Sequence, residues 1–180
     1  MPAVDYIEFM NIIETERLIL SHFAPTDTAF IIELLNTESW KQFIGDRNIK
    51  TEEDALNYIL NGPMKSYAQN NFGLYKVVLK EGNIPIGMCG LIKRDTLEDV
   101  DIGFAFLPDY EGKGYAFEAS LATLEYGQKE LDIHRIIAIT VPDNTKSIKL
   151  LEKLGLKFEK MIKFNNDDKE LMLFGYQESH

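Results

Sequence analysis

The chain has 180 residues, 45% hydrophobic and 27% charged, which fits one domain with one sizeable core and argues against a disordered chain. Its net charge of −10 disfavours duplex nucleic acid or an anionic membrane as the main partner, and it suits either a cationic acceptor or simple solubility. The single cysteine, Cys89, cannot form an internal disulfide, which predicts a cytoplasmic protein.

The first half of the chain predicts a strand followed by helices. Residues 25–36 carry apolar side chains at helical spacing, and residues 51–60 open with Thr51 and Asp54 at the spacing of a capping box. The predicted elements are a strand over 16–20, helices over 25–36 and 51–60, and a third short helix after Pro63.

The second half alternates strands with helices. The tetrapeptide KEGN (80–83) predicts a tight turn between two strands, and NNDD (165–168) predicts another. The predicted strands cover 72–79, 85–94, 100–108, 135–141, 156–164 and 170–177, with helices over 116–131 and 144–155. This order is typical of one α/β domain with a mixed sheet.

A glycine-rich stretch, LPDYEGKGYAFEAS (107–120), stands at the start of the predicted helix 116–131. Paired glycines at a helix start favour close approach of an anion to the backbone. The stretch is not a nucleotide P-loop, because Leu107 replaces the first glycine and Gly114 the hydroxyl residue. It is not a dinucleotide fingerprint, because Phe117 replaces the third glycine.

Other site classes have no support in the sequence. The three histidines are far apart, so we expect no metal site, and no Gly-x-Ser-x-Gly elbow is present. The apolar runs, such as IIAITV (136–141), are too short to span a membrane, and the first residues do not have the pattern of a signal peptide. We therefore expect neither a membrane nor a nucleic acid as partner.

Two motifs resemble the GNAT N-acetyltransferases. The family's loop, Gln/Arg-x-x-Gly-x-Gly/Ala, maps onto 109–114 within VDIGFAFLPDYEGKGYAFEAS. Its second signature, Asn-x-x-[Ala/Ser] followed by Leu-Gly-Phe, maps onto Asn144, Ser147 and the segment 154–156 of NTKSIKLLEKLGL. Ser147 and the early segment ETERLIL (14–20) are similar to the RimJ/RimL-type branch, which acetylates protein N-termini and small amines.

The resemblance implies a fold. It covers nearly the whole chain from Glu14, and implies a single N-acetyltransferase domain over 1–180 with 1–13 as an N-terminal extension. The expected fold class is α/β (α+β), with a mixed, mostly antiparallel central sheet of six to seven strands flanked by about four to five helices.

The resemblance also implies acetyl-CoA as the cofactor. Backbone N–H groups at a helix start can bind its pyrophosphate, and the family places the pantetheine arm beside the strand that here contains 104–107, where two strands splay. The alternative for the loop is a plain helix start, and an asparagine at the position of Asn144 can act as a helix cap as well as a cofactor contact. The cofactor-binding residues implied are Phe104, Ala105, Phe106, Leu107, Glu111, Gly112, Lys113, Gly114, Tyr115, Ala116, Asn144 and Ser147.

Two residues depart from the family pattern. Asp109 stands where Gln or Arg is usual, and Leu151 stands where many relatives have a tyrosine acting as general acid. These departures are the support for an alternative function, a non-catalytic acyl-CoA-binding or sensor module on the same fold.

Two residues are the candidates for catalysis. Asp101 stands where relatives often have glutamate, and strand alternation puts it on one face with Gly103 and Ala105, which makes it a candidate base. The alternative is a solvated carboxylate at a strand edge. Ser147 is a candidate proton donor or a plain helix-surface hydroxyl, and a weak donor suffices because a thiolate leaves readily.

The acceptor is expected to be a primary amine, either a protein N-terminal α-amine or a small molecule. Trp40 and Phe43 are candidates for lining the acceptor pocket, because the family builds that side from this region; a packing role is the alternative. The lysines Lys146, Lys149 and Lys153 share a helix face that could meet a cofactor phosphate or remain solvated. The sequence does not fix the oligomeric state and is compatible with a homodimer.

Overall fold

The computed structural model describes residues 11–164 and 168–177. Within these ranges the chain forms six α-helices and eight strands. The helices are α1 (Thr28–Leu35), α2 (Glu38–Phe43), α3 (Glu52–Asn61), α4 (Pro63–Asn70), α5 (Tyr115–Lys129) and α6 (Thr145–Lys153). The strands are β1 (Asn11–Glu14), β2 (Leu18–Ser21), β3 (Leu74–Leu79), β4 (Ile84–Ile92), β5 (Val100–Phe106), β6 (Arg135–Thr140), β7 (Lys157–Lys163) and β8 (Glu170–Gln177).

The eight described strands form one sheet in the order β1-β2-β3-β4-β5-β6-β8-β7. Every neighbouring pair is antiparallel except β5 and β6, which are parallel. The fold class is therefore confirmed as a single mixed, mostly antiparallel α/β domain. The sheet has one strand more than expected, because β1 falls partly within the segment that we assigned to an extension.

Helices cover both faces of the sheet. Met88 of β4 packs in a cluster with Phe30 and Ile31 of α1. The next residue, Cys89, has its sulfur 3.4 Å from Oγ1 of Thr123 on α5. Because successive side chains of a strand point to opposite faces, α1 and its neighbours lie on one side of the sheet and α5 on the other.

Local signals explain where several elements begin. Thr51 and Asp54 form a complete capping box at the start of α3, and Pro63 occupies the first turn of α4. The predicted turn over 80–83 is present between β3 and β4. The predicted NNDD turn lies largely outside the described residues, since 165–167 are not among them. Helix α2, between the first two predicted helices, was not expected.

Candidate functional site

The glycine-rich loop forms the N-terminus of α5. Gly112 and Gly114 have φ angles of +74° and +83°, a backbone region that favours glycine, and Gly114 is the N-cap residue. No side chain caps the helix, so its first N–H groups, beginning at Tyr115, are not used by a capping side chain. A Cβ built on Gly112 would meet nothing within 4 Å. The loop therefore has open space above it and unused donors beside it, which fits a pyrophosphate.

A set of polar contacts connects this loop and the first turn of α5 to the segment between β1 and β2. Arg17 donates from Nη1 to the carbonyl of Lys113 at 3.0 Å and from Nε to Oε1 of Glu118 at 2.7 Å. Thr15 donates its hydroxyl to Oε2 of Glu118 at 2.6 Å. Burial raises the pKa of Glu118, but the hydrogen bonds from Thr15 and Arg17 outweigh it and leave that pKa below its usual range. The loop is thus held by a residue of the segment before β2.

We expect Arg17→Ala to weaken binding of CoA several-fold, because the carbonyl of Lys113 loses its anchor and the loop gains conformational freedom. The guanidinium is 41% exposed, so the cost to folding should stay below about 1 kcal/mol. Calorimetric titration with CoA measures the first effect and thermal denaturation the second.

Lys80→Ala is the matched control for Arg17→Ala. It removes an ion pair of 2.7 Å with Glu14 on the same edge of the sheet without touching the loop. If Arg17→Ala bound CoA as tightly as Lys80→Ala and the wild type, Arg17 would have no part in organising the loop.

The parallel strands β5 and β6 separate after a short contact. Their pairing covers only Val100 with Ile136 and Asp101 with Ile137, although β5 continues to Phe106. On the other edge β5 pairs with β4 along its length. The described structure therefore contains the splay that the sequence analysis placed beside residues 104–107.

Backbone groups of alternate β5 residues point into this splay. The N–H of Leu107 donates to the carbonyl of Ile86 on β4, so it is already used. Because the hydrogen-bonding groups of successive residues in an antiparallel pair point to opposite edges, those of Ala105 also face β4, and those of Phe104 and Phe106 face the splay. Of the four residues predicted along this strand, Phe104 and Phe106 offer free backbone groups.

A cavity of about 830 Å³ opens from the splay toward α2, α3 and α4. It brings together seven of the predicted site residues, and the other eight, at the end of β5 and in the glycine-rich loop, are not part of its lining. The lining includes Trp40, Phe43, Asp101, Phe104, Ala105, Asn144 and Ser147; the residues outside it are Phe106, Leu107, Glu111, Gly112, Lys113, Gly114, Tyr115 and Ala116.

Asp101 lies at the N-terminal end of β5, where the splay begins. Its side chain is on the cavity side of the sheet and only 1% exposed, which is not the solvated edge position that was the alternative. One carboxylate oxygen, Oδ1, accepts a hydrogen bond from Nε of Arg94 at 2.9 Å. Burial raises the pKa of Asp101, and the Arg94 guanidinium opposes part of that shift. A carboxyl with a raised pKa that is held in one orientation is suited to accept a proton.

The start of α6 forms another part of the cavity wall. Asn144 accepts the N–H of Ser147 with Oδ1 at 3.3 Å, so it does act as the helix cap. Ser147 lines the cavity and Leu151, 1% exposed, lies one turn further along. An aliphatic side chain therefore occupies the position where the resemblance implies a tyrosine in many relatives, and Ser147 is the hydroxyl that α6 contributes to the described lining.

Trp40 and Phe43 both lie on α2. Trp40 is 5% exposed and packs with the α1 core, and it also lines the cavity, so the packing and lining roles coexist. Its indole Nε1 is buried without a hydrogen-bond partner in the described residues. Phe43 is partly exposed at the cavity rim.

The three lysines of α6 differ in their contacts. Lys146 forms an ion pair of 3.2 Å with Glu111, which connects α6 to the glycine-rich loop. Lys153 lies 4.3 Å above the ring of Phe117, on α5. Lys149 is exposed.

Sequence reasoning missed Tyr58, Arg47 and Arg94, which also line the cavity. Burial raises the pKa of Tyr58, and the positive charges of Arg47 and Arg94 oppose part of that shift. The helical position of Tyr58, between the buried residues Ala55 and Ile59, was the available signal. The sequence contains no comparable signal for the arginines, which lie in a loop and beyond the end of β4.

Two absences hold for the ranges that the structure describes. None of their helices has the length and apolar character needed to cross a membrane. Among the same residues, no group of three or more His, Cys, Asp or Glu side chains is arranged to hold a metal ion.

Comparisons with known proteins agree with this geometry. A family model described as an acetyltransferase (GNAT) domain matches residues 17–157. YnaD of Bacillus subtilis, an uncharacterized N-acetyltransferase, is 32% identical over 151 residues, which span 84% of this chain and 85% of that protein.

Solved structures show the same architecture. A GNAT-family acetyltransferase from Bacillus anthracis superposes with a TM-score of 0.75 at 31% identity, over 92% of this chain and 97% of that one. RimL, a ribosomal L7/L12 α-N-protein acetyltransferase solved with coenzyme A, superposes with a TM-score of 0.80 over 93% of this chain and 98% of that one. At 14% identity, the RimL comparison shows a shared fold.

Proposed function

Because the chain belongs to the acetyltransferase (GNAT) family and is an N-acetyltransferase, we propose that it transfers an acetyl group directly from acetyl-CoA to a primary amine held in the 830 Å³ cavity. The observation that carries the proposal is the splay of β5 from β6, which opens onto that cavity. The glycine-rich loop with free helical N–H groups lies just beyond the C-terminal end of β5. Acetyl-CoA would supply an acyl group activated as a thioester.

The residues proposed to hold acetyl-CoA fall into two groups. The loop from Glu111 to Ala116, tethered through Arg17, offers backbone donors to the pyrophosphate. The backbone of Phe104 and Phe106 offers donors and acceptors to the arm that follows. RimL, a protein of this fold, was solved with coenzyme A bound, which supports the proposal.

The proposed chemistry requires a neutral amine. An α-amino group has a pKa near 8 and a lysine amine one near 10.4, so neutralising lysine at pH 7 costs about 3 kcal/mol more. Asp101 is the proposed base, because it is the buried carboxylate of the cavity and Arg94 orients it. Ser147 is the proposed donor to the leaving sulfur, whose thiolate is stable enough to need only a weak acid.

The rival function is acyl-CoA binding without turnover. Its structural support is Leu151, which leaves the α6 wall of the cavity without the usual phenolic acid. Calorimetry with CoA, together with thiol release from acetyl-CoA in the presence of peptide and small amines, tests both functions. Turnover of any amine supports the transferase. Binding without turnover across the panel favours the sensor, and no binding of CoA contradicts both.

A further inference from the structure

The charges that line the cavity are opposite in sign to the net charge of the chain. The chain carries −10, yet the described part of the lining holds six cationic side chains and one carboxylate, that of Asp101. The cations are Lys41, Arg47, Lys65, Lys93, Arg94 and Lys169. Because the chain as a whole is acidic, its composition does not explain an excess of cationic side chains in one cavity.

None of the cations in the described lining lies on β5, β6 or α6, the elements that border the proposed cofactor groove. They come from α2, the segment after it, α4, the end of β4 and the segment before β8. In the described lining, β6 and α6 contribute Ala138, Ile139, Thr140, Ser147 and Leu151 but no cation. The elements that carry the cations are therefore not those proposed to contact CoA, which makes the cations candidates for contact with the acceptor.

Arg47 is the cation best placed to bind a ligand. Arg94 already holds Asp101, and Lys93 donates to the carbonyls of Leu97 and Glu98. Arg47 makes no hydrogen bond or ion pair with any residue that the structure describes. Its guanidinium nevertheless lies close enough to Tyr58 to affect its phenol, as does that of Arg94.

Resting on the proposed function, we propose that the acceptor is a small amine that also carries a carboxylate or phosphate group, and that Arg47 binds this anion. The fork of a guanidinium matches the two oxygens of either group. In such a ligand, the amine would lie at Asp101 and the anion would lie at Arg47. The cavity volume lies in the range of small-molecule sites.

The test uses two pairs of primary amines, and in each pair one member carries the anion and the other does not. Leucine and leucinamide form one pair, O-phosphoethanolamine and ethanolamine the other, so the two pairs separate a carboxylate from a phosphate. We expect the acidic member of at least one pair to have a kcat/KM roughly tenfold or more higher. Arg47→Gln should remove this preference by raising KM much more for the acidic member than for the neutral member, while any change in kcat is the same for both.

Lys157→Gln is the matched control, because Lys157 is an exposed cation on β7 outside the cavity. Calorimetry of the four amines on CoA-saturated protein gives a second readout that does not need turnover. Equal binding of acidic and neutral members, equal loss of both in Arg47→Gln, or no binding of either acidic amine would overturn the inference. A wild-type protein that did not bind CoA would instead contradict the proposed function, so failure of the inference and failure of the proposed function give different results.

Discussion

Asp101→Asn should lower kcat by about 10²- to 10⁴-fold while leaving the affinity for CoA unchanged. The substitution keeps the shape of the side chain, and its amide oxygen can still accept the hydrogen bond from Arg94. It removes the one carboxylate in the described lining of the cavity, and so the group that could take the proton from the amine. The measurement is thiol release at saturating acetyl-CoA, with calorimetry for CoA.

The pH profile should identify the same residue. Burial raises the pKa of Asp101 above the ordinary value of about 3.9, although Arg94 opposes the shift. Below the raised pKa the carboxyl is protonated and cannot act as a base, so wild-type kcat falls as pH falls through it. We expect the kcat of Asp101→Asn to show no such decrease as pH falls.

The raised pKa of Asp101 also makes the stability of the folded protein depend on pH. The folded chain binds this proton more tightly than the unfolded chain, so wild-type stability relative to Asp101→Asn should decrease as pH rises from about 3.9 through the raised pKa. Thermal denaturation of the two proteins over that interval measures the difference. A constant difference across the interval would mean that the Asp101 pKa is not raised by folding.

Asp99→Asn is the matched control for Asp101→Asn. Asp99 precedes β5, pairs with Nε of Arg135 at 3.0 Å, and does not line the cavity. Its substitution removes a carboxylate two residues away at a cost of less than about 1 kcal/mol. If Asp101→Asn retained the activity of Asp99→Asn, Asp101 would be a structural partner of Arg94 and another group would be the base.

The features that could be predicted from sequence are those encoded by neighbouring residues. The capping box of Thr51 and Asp54 sets the start of α3, and paired glycines set the loop before α5. The alternation along β5 is also confirmed, since Phe104 and Phe106 pack on the α5 side and Ala105 packs with the α1 core. Each of these signals lies within one turn of helix or a few residues of strand.

The features that could not be predicted depend on distant residues. Helix α2 has only six residues, too few for an apolar stripe at helical spacing to identify it. The contact between Arg94 and Asp101 depends on the pairing of β4 with β5, and the approach of Arg47 to Tyr58 depends on the packing of α3 under a loop. For this reason the net charge of the chain was no guide to the charge inside the cavity.

Gly114→Ala is expected to weaken CoA binding by about 10- to 100-fold. At φ +83° an alanine is strained by roughly 1–2 kcal/mol, and its Cβ would stand 3.3 Å from Nη2 of Arg17, the residue that anchors the loop. Relief of this strain turns the peptide groups at the start of α5. Loss of one charge-assisted hydrogen bond there, worth roughly 1.5–3 kcal/mol, accounts for a change of about 10- to 100-fold.

Gly155→Ala is the control that distinguishes the effect of backbone strain from the loss of CoA binding. Gly155 follows α6 with φ +95°, and its Cβ would lie 3.7 Å from Tyr176, away from the glycine-rich loop. Both substitutions should lower the free energy of unfolding by a similar amount, because both place alanine in the left-handed region. Only Gly114→Ala should lose CoA affinity, because only its peptide groups face the proposed pyrophosphate site. Equal CoA affinities for the two variants would show that the N-terminus of α5 does not bind the pyrophosphate.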